Sequence, residues 1–146
     1  ATVDAIAKKL KAAGANVVLT RSNDSFVDLE PRPALANKLK ADAFISVHFD
    51  SSNEANEASG TTTYYYSSSK DMSLAKAINN QTKTLPLNNR GIEYGNYQVL
   101  RDNQRPAVLL ELGYINSDKD FSYISSANYQ AKVADAVYTG LTDYFK

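Results

Sequence analysis

The chain contains one histidine, His48, and its most apolar run, PAVLLELGY (106–114), holds a glutamate, Glu111. Val108, Leu109, Leu110 and Leu112 flank that carboxylate. An ionised carboxylate among such neighbours loses much of its hydration energy unless a partner compensates. Two readings follow. Glu111 is either a structural ion pair with Arg90, Arg101 or Arg105, or a general base whose basicity is set by burial and nearby charge. His48 directly follows AFISV (43–47) and also has two readings, a strand-end histidine bonded to a loop or a metal ligand. A single imidazole does not make a metal site, because zinc usually takes three or more protein ligands. Asp50 shares a face with His48 in an extended segment, so it is the nearest carboxylate able to assist.

The elements that must position these groups alternate in type. Val3, Ile6, Ala7 and Leu10 fall on one face of an opening helix that Gly14 is placed to end. NVVLT (16–20) reads as a strand, Arg21-Ser22-Asn23-Asp24 as a turn, and a helix starts near Pro33 with Leu35, Ala36 and Leu39 on its buried side. AFISV and TTTYYY (61–66) read as strands on either side of a polar loop, DSSNEANEASG (50–60). A helix is expected over about 71–83, followed by a connection through Pro86, Asn88, Asn89 and Gly91. YQVL (97–100) and AVLLEL (107–112) read as two more strands, and helices follow over 118–124 and about 128–145. This alternation predicts one α/β domain over 1–146, a mostly parallel sheet flanked by helices on both faces. Ligands of such sheets bind beyond the carboxyl ends of the strands, where His48 and Glu111 both fall.

Composition narrows the function classes. At 43% hydrophobic and 22% charged, the chain is globular in type rather than disordered. Sixteen basic residues balance sixteen acidic ones, so no global charge favours nucleic acid as a partner. No apolar run is long enough for a transmembrane helix. The absence of cysteine removes disulfides and thiolate chemistry, leaving His, Asp and Glu to hold any metal. There is no nucleophile elbow, phosphate loop or dinucleotide turn. The consecutive Tyr64, Tyr65 and Tyr66 must alternate between the faces of a strand, which favours core and edge packing over a stacking platform.

Several ordered motifs carry a resemblance. ISVHFDSS around His48, NRGIEYGNYQVLR (89–101) and RPAVLLELGYINS (105–117) resemble successive signatures of the zinc-dependent N-acetylmuramoyl-L-alanine amidases, the amidase type 3 group of cell-wall hydrolases. VVLTRSND and LEPRPALANKLKADAFISVH fit the same family in the same order. The resemblance implies a zinc held by two histidines and a glutamate, with a second glutamate in catalysis. It makes His48 the second histidine ligand and Glu111 the catalytic glutamate. It also implies that Arg90 and Asn96 orient the glycan or peptide of peptidoglycan, and that the site of action is extracellular or cell-wall-associated. A further cell-wall-binding domain or an activator is an implied partner.

The first histidine and the ligand glutamate of the family have no counterpart here. An N-terminally incomplete domain is therefore expected, one that lacks the opening strand and does not bind zinc tightly alone. Phe49-Asp50 also departs from the small residue and asparagine common in the family. A second class stays open: an amidase-like module that binds peptidoglycan or a protein without cleaving it.

Overall fold

The strand expected at 43–47 and the apolar run at 106–114 lie side by side in the sheet. The computed structural model of the chain describes residues 2–17 and 42–146, the Asp50 side chain excepted. The turn at 21–24, the helix from Pro33 and most of the NVVLT strand lie outside the described residues. Within them the chain forms α1 (Thr2–Ala12), β1 (Phe44–Asp50), β2 (Thr61–Tyr65), α2 (Met72–Thr82), β3 (Asn89–Tyr94), α3 (Gln98–Arg101), β4 (Ala107–Tyr114), α4 (Asp118–Ile124) and α5 (Ala127–Tyr144). The strand order is β1-β4-β2-β3. β1 pairs parallel to β4 and β2 parallel to β3, while β2 and β4 run antiparallel. The sheet is thus mixed but mostly parallel, as expected.

β4 is buried along its whole length, and its alternate side chains build two cores. Val108, Leu110 and Leu112 face a layer made by Ile6 of α1, Leu74 and Ile78 of α2, and Val133 and Val137 of α5. Ile45, Val47 and Phe49 of β1 join that side. Ala107 and Leu109 point the other way, against Val99 and Leu100 of α3, with Phe44, Tyr64 and Tyr66 around them. Helices therefore lie on both faces. Gly140 lets α2 and α5 approach closely, since a Cβ there would lie 2.8 Å from Ile78 Cα. The tyrosines alternate as the strand period requires, Tyr65 on the first side and Tyr64 and Tyr66 on the second.

Two elements differ from the sequence reading. YQVL is not a strand: Gln98–Arg101 form a helical turn, which lets the neighbours Val99 and Leu100 both reach the second core. The adjacent strand is instead Asn89–Tyr94, a stretch read as connection because of its asparagines and Gly91. Pairing to β2 overrides that weak β-propensity, and Gly91 takes φ of 92° without strain.

The amino end of β4 is pinned by Asp71, which is fully buried. Its carboxylate accepts from the backbone N–H groups of Tyr66, Ser67 and Ala107 at 3.2, 3.0 and 3.0 Å. Lys70 pairs with the same carboxylate and donates to the Arg105 carbonyl oxygen at 2.9 Å.

Candidate active site

His48 and Glu111 are direct partners in the parallel β1–β4 register. Both lie on the face of Leu109, away from the α1–α2–α5 layer, because side chains alternate along each strand. Glu111 is only 3% exposed, and His48 is half-buried. Thr62 of β2 sits opposite Glu111 on its other side and is also buried. His48 Nε2 lies 2.9 Å from Ser46 Oγ, two residues back on the same face. The two residues singled out in the sequence are thus neighbours, delivered by strands far apart in the chain.

Beyond this pair the register slips. Asp50 pairs with Tyr114, so β4 has one more residue than β1 over this stretch. Gly113, at φ 134°, lies in it, a conformation that suits glycine. The extra residue brings Tyr114 to the face of Glu111, where Arg90 Nη1 donates to its hydroxyl at 2.7 Å. The guanidinium also lies 5.7 Å from the Tyr114 ring centroid. The Arg90 stem runs over Gly60, where a Cβ would sit 3.1 Å from Arg90 Cγ. Arg90 therefore stands at the carboxyl-end rim of β4, against Tyr114.

The loop after His48 is stitched to the segment after Glu111. Asn116 Oδ1 accepts from Ser52 N at 3.1 Å, and its Nδ2 donates to Ser52 O at 2.8 Å. Asn56 Oδ1 accepts from Asp118 N at 2.7 Å. Asp120, fully buried, accepts from Gly60 N at 3.0 Å, Tyr114 N at 2.9 Å and the Ser59 hydroxyl.

On the other side of Glu111 lies Tyr64, whose ring meets Tyr97 edge-on at 5.2 Å. Burial, then Tyr97, Glu93, Tyr114 and Glu111 around it, push the Tyr64 phenol up to about 12 from an ordinary 10.0. A raised folded-state value favours the protonated, folded form. The stability it contributes is fully present below pH 10 and is lost as pH climbs through about 12. Burial, and then Asp120, hold the Tyr129 phenol up as well. Tyrosinate absorbance should accordingly show two tyrosines titrating late, and Tyr64→Phe should remove one of them.

Asn96 falls elsewhere. It follows β3 at the opposite end of the sheet from Arg90, and its Oδ1 accepts from Arg101 Nη1 at 3.0 Å. His48 and Glu111 are the metal-type donors that the fold brings together here. Among the described residues no three His, Cys, Asp or Glu side chains are grouped to hold a metal, so they fit one corner of a zinc site rather than its full set. Thr62, Tyr64 and Tyr114 were missed as neighbours of Glu111. The glycine that interrupts LELGY was the one signal of a bulge able to re-aim Tyr114.

The family described as N-acetylmuramoyl-L-alanine amidase matches residues 1–143. The chain belongs to that family. It is similar to the probable cell wall amidase LytH of Staphylococcus epidermidis, at 44% identity over 146 residues, covering 99% of this chain and 47% of the relative. The chain thus spans about half the length of that curated relative. The amidase fold is equally plain. The catalytic domain of CwlV, an N-acetylmuramoyl-L-alanine amidase from Bacillus (Paenibacillus) polymyxa, superposes with a TM-score of 0.93 at 36% identity, over 99% of this chain and 80% of that one. CwlD amidase from Clostridioides difficile, solved in complex with the GerS lipoprotein, gives 0.88 at 25% identity, over 99% and 82%.

Proposed function

We propose that residues 1–146 act as one catalytic domain that cleaves peptidoglycan at the amide between the lactyl group of N-acetylmuramic acid and the L-alanine of the stem peptide. One observation carries this reading: the buried carboxylate of Glu111 sits directly beside His48, on the sheet face away from the main helix layer. A structural carboxylate has little reason to occupy a fully buried strand next to the chain's one imidazole.

The roles follow from that placement. Glu111 takes a proton from water as the hydroxide attacks the amide carbonyl carbon, then passes it to the leaving nitrogen of L-alanine as the C–N bond breaks. Its burial keeps the carboxylate away from bulk water. His48 would be this chain's ligand to zinc, held in orientation by Ser46. A zinc ion, where bound, supplies Lewis acidity toward the amide carbonyl and acidifies a bound water toward neutral pH. Arg90 orients the anionic stem peptide at the rim, and Asn96 contributes at the glycan end.

Extracellular or cell-wall-associated action follows from such a substrate, and among the described residues no helix is long and apolar enough to cross a membrane. The complex of CwlD with the GerS lipoprotein supports a protein partner for this domain, alongside a cell-wall-binding domain.

The test is amide hydrolysis by the intact protein on purified cell wall, read as new amino-terminal L-alanine. His48→Ala should also weaken zinc binding by at least tenfold, since losing even the groups that orient a ligand costs about 10–100-fold. Unchanged zinc affinity in that variant would remove His48 from the metal site. Absent hydrolysis with retained binding to cell wall would favour the non-catalytic module.

A further inference from the structure

Along β2 the Glu111 face has two chemically unlike ends. At Thr61 and Asn89 the rim carries the guanidinium of Arg90 over Tyr114. Thr62 lies opposite Glu111, and Tyr64 opposite Leu109, one diagonal step further along. At that second end Tyr97 returns over the sheet after Gly95 and packs edge-on against Tyr64. Gly95 makes this possible: a Cβ there would lie 2.6 Å from Tyr97 Cε2 and 3.0 Å from Tyr64 Cδ1. Tyr97 is nevertheless 38% exposed. A large ring is thus held in a fixed orientation with part of its surface in water. Glu93, exposed and in register with Tyr64, puts a carboxylate at the same end.

We propose that Tyr97, braced by Tyr64 and seated over Gly95, stacks against an N-acetylhexosamine ring of the glycan strand and so sets the direction in which substrate lies across Glu111. The proposal rests on the amidase reading of the site. A sugar presents one face of C–H groups that pack on an aromatic ring, and its hydroxyl and acetamide N–H groups donate to a carboxylate such as Glu93. Free carboxylates of the stem peptide are repelled by Glu93 and attracted by Arg90. The neutral sugar therefore lies toward Tyr97 and the anionic peptide toward Arg90, with the scissile amide between them at Glu111. A braced tyrosine also loses little rotamer freedom on binding.

The experiment uses peptide-free glycan strands and a free stem peptide beginning with L-alanine as separate probes of the intact protein. The chain has no tryptophan, so Tyr97→Trp places its one indole at the proposed contact. Glycan strands should shift the emission of that variant, whereas the stem peptide should not. Tyr97→Ala should weaken glycan affinity by about tenfold, the scale of one aromatic contact, and leave stem-peptide affinity within about twofold. Unshifted emission with glycan, or equal loss of affinity for both probes in Tyr97→Ala, overturns the proposal. Neither probe contains the scissile bond, so these outcomes stand apart from success or failure of the hydrolytic reading.

Discussion

Glu111→Gln is expected to lower cell-wall amide hydrolysis by about 10²–10⁴-fold, the usual contribution of a positioned general base. The substitution keeps the side chain's shape inside β4, where every position is buried, so circular dichroism should stay unchanged. It removes only the ability to accept a full proton. Binding to intact cell wall should persist, which separates a chemical defect from a docking defect. The pH–rate profile offers a second readout: the limb set by the base should disappear in the residual activity. Wild-type rates in Glu111→Gln would end the general-base role and leave Glu111 as a buried structural acid.

A large effect on stability is expected at Asp120. Asp120→Ala leaves the backbone N–H groups of Gly60 and Tyr114 and the hydroxyl of Ser59 without their acceptor. Each stranded buried donor costs about 1–3 kcal/mol, so a total loss of about 3–5 kcal/mol is expected, after some relaxation of the Ser59 rotor. That is a large share of a typical domain's stability of about 5–15 kcal/mol. Urea denaturation should show the midpoint fall with little change in slope. Asp120→Asn keeps an oxygen acceptor and should lose less. Equal stability of Asp120→Ala and wild type would mean that water replaces the carboxylate at this junction.

The pairing of His48 with Glu111 was only half legible in the sequence. Each residue stood out locally, one as the single histidine, the other as a charge in an apolar run. Nothing local said that β4 would lie next to β1 rather than next to the strand before it in sequence. Sheet order is a property of distant pairings, and periodicity reports only which face a side chain takes. Helices were easier, because α2 and α5 carry their buried residues at helical spacing. YQVL misled because Tyr and Val favour strands, whereas the second core accepts Val99 and Leu100 from one helical turn. Asn89–Tyr94 was missed for the opposite reason, since its strand character comes from β2 rather than from its own residues.

The stitching of Ser52 to Asn116 joins positions 64 residues apart, and β4, the last strand made, lies between β1 and β2. Synthesis therefore delivers both flanking strands before the one that belongs between them. Until β4 arrives, the two neighbours lack the partner that completes their pairing, and the loop carrying Ser52 has nothing to close upon. Non-local pairing of this kind slows folding, because chain-closure entropy is spent before the contacts that reward it exist. Glu111 joins His48 only at that final insertion. On the proposed reading, a chain whose β4 has not yet inserted lacks the Glu111–His48 pair that cleavage requires.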